Sequence, residues 1–197
     1  MATPIYILLA LTEEGMRRFW SDRAGPVARL GLDRHNLSAL EKALARHGLV
    51  VMGEEVVPLG PEGWDRGRRQ YRTKALLRRA REKARSIPDW HVKVLLITDA
   101  DMFDAGTVFV AGQAEVDGRA AVVSVARLGA GDEAKFLRRV LKEALHELGH
   151  TLGLGHCNDH DCVMFQSRVL ADSDVKAHDL CDRCRVKAGR ALRVERA

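Results

Sequence analysis

Residues 146–156 read His146-Glu147-Leu148-Gly149-His150-Thr151-Leu152-Gly153-Leu154-Gly155-His156, which is the pattern HExxHxxGxxH. On a helix, four residues turn the chain by about 400°, so His146 and His150 project from one face and can bind one metal ion. Gly153 can adopt a positive φ, which ends the helix and brings His156 to the same ion as a third ligand. Glu147 flanks the ion and can act as general base on a water that the metal activates. The pattern predicts a zinc-dependent peptidase.

All four cysteines of the chain follow this motif, at Cys157, Cys162, Cys181 and Cys184. Their spacing, Cx4C and later CxxC, is typical of the paired knuckles that close a tetrahedral four-thiolate zinc site. We therefore predict a second, structural zinc ion that holds together a short, helix-poor tail. Disulfides and a redox-active CxxC are the alternatives, and persistent disulfides are rare in a reducing cell interior. Four nearby residues could compete as ligands but are interpreted as solvated loop residues: Asp159, His160, Asp161 and His178.

The composition indicates one compact domain. The chain has 197 residues, of which 46% are hydrophobic, and this is enough for a sizeable core. The apolar stretch Ile5 to Leu11 has neither a basic region before it nor a small-residue cleavage site, so it is interpreted as a strand and not as a signal peptide. No apolar run is long enough to cross a bilayer. We therefore predict a soluble, cytoplasmic monomer without a membrane partner.

The net charge is mildly positive, because the chain has 32 Lys and Arg residues against 27 Asp and Glu residues. Half of the residues from 66 to 85 are basic, among them Arg68, Arg69, Arg78 and Arg79, which predicts a basic helix face. No interleaved aromatic residues or nucleic-acid motif accompany this charge. A solvated helix is therefore favoured, and nucleic acid is not expected as a partner.

Hydrophobic periodicity predicts the element order βαβαβββα. The predicted strands are 5–11, 49–59, 92–98, 108–114 and 120–126, and the last two flank a hairpin signal, Asp117-Gly118. The predicted helices are 37–47, 71–87 and one that runs from an Asp132 cap into the histidine motif. This order predicts an α/β (α+β) fold, in which helices pack on a mixed sheet.

An acidic turn follows the predicted strand 92–98 and contains Asp99, Asp101 and Asp104. Strand ends often face a cleft, so these carboxylates could hold the free amine of a peptide and favour aminopeptidase action. Loop capping and solvation is the favoured interpretation. Exopeptidase and endopeptidase action both remain open.

The motif continues beyond the third histidine. Met164 follows Cys162 by two residues, and the whole pattern HExxHxxGxxHCx4CxM with a later CxxC resembles the archaemetzincins, a family in the metzincin clan of zinc peptidases. The resemblance covers His146 to Cys184. It implies a metzincin-like fold with a mixed five-stranded sheet above the cleft and an antiparallel edge strand at Val108 to Ala114, which can pair with an extended peptide. Residues 1–155 would hold the sheet and active-site helix, and residues 156–197 a small zinc-stapled C-terminal subdomain of the same catalytic domain.

The resemblance also implies the roles of the site residues. Catalytic zinc would be bound by His146, His150 and His156, with Glu147 as general base and Met164 as the Met-turn residue beneath the site. The four cysteines would bind the structural zinc, giving two Zn²⁺ per chain. The substrate would be a peptide or a protein.

Two other functions are weighed against a peptidase. The first is a catalytically quiescent two-zinc protein that binds peptides or regulates a partner, and the complete set of chemical residues disfavours it. The second is an Arg-rich zinc-knuckle protein that binds nucleic acid and carries the HExxH helix incidentally. An intact Glu147 and a full histidine trio disfavour this one most.

Overall fold

The computed structural model describes residues 2–20, 32–129, 132–167 and 170–194. Its elements in chain order are β1 (Thr3–Leu11), α1 (Glu13–Phe19), α2 (Arg34–Arg46), β2 (Leu49–Pro58), β3 (Trp64–Asp65), β4 (Gln70–Arg72), α3 (Thr73–Ser86), β5 (Lys93–Thr98), β6 (Met102–Phe103), β7 (Gly112–Ala114), β8 (Ala120–Ser124), α4 (Glu133–Thr151), α5 (Leu170–Val175) and α6 (Asp182–Val194). Within these residues, no helix is both long and apolar enough to cross a membrane.

The main sheet has five strands in the order β2-β1-β5-β8-β7. The first four are parallel to their neighbours, and β7 pairs with β8 in the antiparallel direction. Strand β5 lies in the middle, and all six of its residues are buried, which confirms the predicted central strand. The predicted mixed five-stranded sheet with an antiparallel edge is therefore confirmed.

The two faces of the sheet bury two different sets of side chains, because side chains alternate along a strand. On β1, Ile5, Ile7 and Leu9 face a core that α2 and α4 cover, whereas Leu8 and Ala10 face α3. The first core also contains Met164 and Cys184 from the C-terminal part of the chain. One continuous core therefore joins the sheet, the helix with the histidine motif and the cysteine-rich segment.

The hairpin between β7 and β8 turns at the predicted Asp117-Gly118, and Asp117 has a φ of +56°. The predicted strand 108–114 is shorter than expected, because only Gly112–Ala114 pairs with β8. Residue Val108 is instead held by side chains, since its carbonyl accepts hydrogen bonds from Gln70 and Arg68. Residues 108–111 consequently run as irregular chain towards the edge strand.

Several short elements were not predicted from periodicity. The small sheet β3-β4-β6 takes Tyr71 as a strand residue, so α3 begins at Thr73 and not at residue 71. Helices α1, α5 and α6 are also additional. The expectation of a helix-poor tail was wrong, because α6 starts within the CxxC pair and buries Cys184 and Ala188 one turn apart.

Candidate active site

Helix α4 carries the first two histidines of the motif. It begins after Asp132, whose side chain accepts a hydrogen bond from the backbone N–H of Lys135 at 2.7 Å, which confirms the predicted cap. The stripe of α4 that packs into the core consists of Phe136, Val140, Ala144 and Leu148. The other face of the helix therefore presents His146 and His150 to a cleft beside the edge strand.

A glycine turn brings the third histidine back to this face. Helix α4 ends at Thr151, and Gly153 follows with a φ of +77°. The N–H of Leu154 then donates to the carbonyl of Gly149 at 3.1 Å, which closes the helix end. The ring of His156 lies within 5.4 Å of the other two histidine rings, measured between centroids. The predicted turn at Gly153 is confirmed.

The three histidine rings are arranged for metal binding. The Nδ1–H groups of His146 and His150 donate to the carbonyls of Val163 (2.8 Å) and Leu154 (2.7 Å), so both Nε2 atoms keep their lone pairs. These two Nε2 atoms lie 3.2 Å apart, and one nitrogen from each of the three rings lies within 4.8 Å of the others. Three neutral imidazoles with orienting carbonyls are a donor set that fits zinc.

The electrostatic environment keeps the rings neutral. Burial, followed by the positive charge of Lys176, lowers the pKa of His146 to about 3. The pKa values of His150 and His156 are also lowered, in both cases chiefly by burial. Neutral imidazole is the form that binds metal, so no proton has to leave these rings near neutral pH.

Glu147 lies beside the histidines and is nearly inaccessible to solvent. Burial raises the pKa of its carboxyl well above the ordinary value, the negative charge of Glu143 raises it further, and Lys176 opposes this. The backbone of β7 passes directly over the carboxylate, since a Cβ added to Gly112 would lie 2.5 Å from Glu147 Oε1. Gly112 is therefore a site residue that the sequence did not reveal.

The histidines and Glu147 open into a cleft of about 450 Å³. Residues 109–114, which include the edge strand β7, and Val116 line the cleft, as do Gln166, Ser167, Ser173 and Lys176. A cleft of this size accommodates a few residues of an extended chain. The floor is formed by α4 itself.

Met164 lies below the histidines and is completely buried. Its Sδ packs on the backbone of Gly149, where an added Cβ would overlap it. The carbonyl of Met164 accepts the N–H of Cys157 at 2.9 Å, so this turn also connects to the cysteine cluster. Gly149 occupies one of the two x positions of the HExxH pattern. A glycine is suited there because Met164 leaves no room for a side chain.

A buried ion pair that the sequence did not reveal forms part of the cleft. The Nζ of Lys176 lies 3.2 Å from Oε1 of Glu143, and both side chains are less than a tenth exposed. Ser173 Oγ donates to the same carboxylate oxygen at 2.8 Å. Glu143 lies one turn before Glu147 on α4, whereas no local pattern marks Lys176. The positive charge of Lys176 lowers the pKa values of all three histidines and of Glu147.

The four cysteines form a second cluster, in which one Sγ from each lies within 4.8 Å of the others. Cys157 Sγ and Cys181 Sγ are 3.9 Å apart, close to the separation of about 3.8 Å between two thiolates on one tetrahedral zinc ion. All four thiols are free in the structure. Hydrogen bonds, first of all from the backbone N–H of Cys184, lower the pKa of Cys181 to about 7, whereas burial raises the pKa values of Cys162 and Cys184. The donor set fits a closed zinc site better than two disulfides.

The acidic turn does not reach the cleft. Asp99 accepts hydrogen bonds from the N–H and hydroxyl of Thr12, and Asp101 binds Arg127 through both oxygens. None of the three acidic residues of this turn is in the cleft wall that the described residues form. These contacts support the interpretation of loop capping and do not support the hypothesis of a free-amine site.

The residues that could compete near the cysteines lie outside the cluster. Asp159 accepts a hydrogen bond from the N–H of Asp161, and His160 packs on the ring of Phe165. His178 lies instead beside Asp179 and His47. Asp159, His160 and Asp161 therefore make contacts within the loop, in agreement with their interpretation as loop residues.

The fold and the cleft together place this protein in the class of zinc metallopeptidases, and its similarity to known proteins agrees. The model of peptidase family M54 matches residues 62–190. The chain belongs to this family, whose members include the archaemetzincins. Archaemetzincin from Methanopyrus kandleri is 40% identical over 153 residues, which cover 75% of this chain and 85% of the relative. Archaemetzincin from Archaeoglobus fulgidus is 40% identical over 164 residues, covering 80% and 94%.

Solved structures give the same result. The crystal structure of the Methanopyrus kandleri archaemetzincin matches with a TM-score of 0.75 at 32% identity, covering 98% of this chain and 96% of that one. The Archaeoglobus fulgidus archaemetzincin, crystallised with malonate, matches with a TM-score of 0.73 at 30% identity, covering 93% and 99%. The predicted family, the predicted metallopeptidase function and the predicted cofactors, two zinc ions, are confirmed.

Proposed function

We propose that His146, His150 and His156 hold the catalytic zinc and that Glu147 is the general base of peptide hydrolysis. The observation that carries this proposal is the orientation of the rings, because two backbone carbonyls fix Nδ1–H and direct both Nε2 atoms to one point. Zinc bound there supplies a Lewis acid that polarises the scissile carbonyl and lowers the pKa of water.

Glu147 handles the proton in this proposal. Its carboxylate takes a proton from the attacking water and returns it to the nitrogen of the leaving amine. The burial that raises its pKa brings the group nearer to the pH at which it must both accept and donate. The backbone of Gly112 limits the space on one side of the carboxylate.

The substrate is proposed to lie along β7. This strand pairs with β8 on one side only among the described residues, so its outer edge can bind an extended peptide through main-chain hydrogen bonds. Gln113 is in the cleft wall, and its buried Oε1 has no hydrogen-bond partner within the described part of the chain. A backbone N–H of the peptide would satisfy this oxygen.

The cysteine cluster is proposed to have a structural role. Cys157, Cys162, Cys181 and Cys184 would bind the second zinc without an open coordination position. Residues 156–197 would then be a small C-terminal subdomain that this zinc staples, and Met164 would support the histidines from below. Residues 1–155 would hold the sheet and the active-site helix. We further propose that the protein works as a cytoplasmic monomer and that nucleic acid is not its ligand.

The Glu147→Gln variant tests the catalytic part of this proposal. The amide has nearly the same shape but cannot take a proton, so peptide hydrolysis is expected to fall by about 10²- to 10⁴-fold. Zinc content and thermal stability are expected to stay at the wild-type level. The matched control is Glu133→Gln, which changes an exposed carboxylate in the first turn of the same helix. Mass spectrometry of a digested peptide library reads both the rate and the position of cleavage.

Wild-type rates in a zinc-loaded Glu147→Gln protein would contradict the role of Glu147. The quiescent two-zinc alternative predicts a different result, namely that wild type and variant both hold zinc and neither cleaves any peptide. The family and the complete cleft do not favour that alternative.

A further inference from the structure

A third group of metal-ligand side chains lies on the side of α4 opposite the cleft. His47 follows the last residue of α2, and His178 and Asp179 lie between α5 and α6. One ligand atom from each of these residues lies within 4.8 Å of the others. They border a separate cavity of about 260 Å³, which Leu145, Leu148 and Gly149 of α4 and the following Leu152 also line.

The distances within the group differ from those of an ordinary ion pair. His47 Nδ1 lies 3.4 Å from one oxygen of Asp179, and His178 Nε2 lies 3.5 Å from the other. Charge-assisted hydrogen bonds are about 2.7–2.9 Å long. Two ligands of a tetrahedral zinc ion, each about 2.0–2.1 Å from the metal, are about 3.3–3.4 Å apart. Each histidine nitrogen therefore lies from an oxygen of Asp179 at about the spacing of two ligands on one metal ion, and all three residues offer ligand atoms within 4.8 Å of one another.

We propose that His47, His178 and Asp179 form a third metal site, which binds a transition-metal dication such as Zn²⁺. Two imidazoles and one carboxylate favour zinc, cobalt or nickel over calcium and magnesium, which prefer oxygen ligands. The cavity leaves room for water or an anion as a fourth ligand. This site shares no ligand with the histidine cluster or the cysteine cluster.

The surrounding charges set the expected affinity. Arg46 and Arg185 border the same cavity, and their positive charges oppose the binding of a dication. His178 and Asp179 are also more than half exposed, so their side chains lose conformational freedom when they bind a metal. The third ion is therefore held more weakly than a zinc ion in either of the two other clusters.

The site is linked to the catalytic histidines through the backbone. The carbonyl of Asp179 accepts the N–H of Val163 at 2.8 Å, and the carbonyl of Val163 accepts Nδ1–H of His146 at 2.8 Å. Cys181 of the cysteine cluster follows Asp179 by two residues. A metal ion that connects Asp179 to His47 would thus hold the segment between the two other sites against the end of α2.

Calorimetric titration with ZnCl₂ tests this site. The protein is first dialysed against metal-free buffer so that it keeps only its two tightly bound zinc ions. Wild type is expected to bind one additional equivalent, and its melting temperature is expected to rise with added zinc. His47→Ala and His178→Ala, which change different elements, are each expected to weaken this binding at least tenfold. His35→Ala is the matched control, because it removes an exposed histidine elsewhere on α2.

Two results would overturn the proposal. The first is wild type that binds no equivalent beyond the two tight ions, a result that depends on no variant. The second is an additional equivalent that binds equally well to His178→Ala, because adventitious surface sites would then account for it. Retention of the two tight zinc ions shows that a variant is folded, and exposed His178 is the safer of the two replacements.

Discussion

Lys176 influences the three histidines and Glu147. Its positive charge lowers the pKa of the three histidines and opposes the rise in the pKa of Glu147, although burial is the larger cause in each case. Both effects favour the forms that a zinc peptidase needs, which are neutral imidazole and ionised carboxylate. The ion pair with Glu143 keeps this cation in place.

Lys176→Met is expected to lower the free energy of unfolding by about 3–5 kcal/mol, because it leaves Glu143 as a buried charge without its cation. The double variant Lys176→Met with Glu143→Gln removes this charge and is expected to recover part of the loss. Urea unfolding of both proteins, with exposed Lys187→Met as control, measures the difference. Equal stability of wild type and Lys176→Met would show that the ion pair makes no net contribution.

Gly112→Ala tests the close approach of β7 to Glu147, the proposed general base. The new methyl group would meet the Glu147 carboxylate at 2.5 Å and displace it, so kcat is expected to fall by about 10²-fold while the zinc content is unchanged. Gly129→Ala is the control, since nothing lies within 4 Å of its added Cβ. Full activity of the Gly112→Ala protein would mean that the carboxylate tolerates another position.

Helices and strands that local sequence patterns determine were predicted, whereas contacts between residues far apart in the chain were not. The HExxH spacing and Gly153 act within a few residues, so the helix, its end and the meeting of the histidines followed from the sequence. Strands β1, β5 and β8 were predicted because they are apolar runs, whereas the count of five strands in one sheet and the antiparallel edge strand came from the family resemblance. The two-residue strands β3 and β6 have no periodicity to detect, and Lys176 meets Glu143 across 33 residues of chain. Only the folded structure shows those contacts.

Helix α6 and the cysteine cluster are expected to depend on each other, because Cys184 lies in the first turn of α6. Replacing Cys181 and Cys184 with Ser is expected to remove one zinc ion and several kcal/mol of stability, since structural zinc binding contributes directly to folding. The control is Val186→Ser, which changes an exposed side chain of the same helix. Elemental analysis measures the zinc content and thermal unfolding measures the stability. Unchanged zinc content and stability in the double variant would refute the structural site.

One of the two cores connects the sheet with helix α4, which carries the first two histidines, and with the cysteine cluster. The active-site helix packs against β8 and β7, and Met164 and Cys184 enter the same core from the C-terminal part. His156 and Cys157 are neighbours in sequence, so the last histidine of one cluster adjoins the first cysteine of the other. The position of the three histidines therefore depends on the fold of both parts of the chain.

The most direct test of this account is the number of tightly bound zinc ions per chain, measured by elemental analysis after dialysis against metal-free buffer. Wild type is expected to hold two, and His150→Ala is expected to hold one and to cleave no peptide. The lost ion would be the catalytic one, because His150 belongs only to the histidine cluster. A single zinc ion in wild type that His150→Ala leaves in place would contradict the proposed catalytic site.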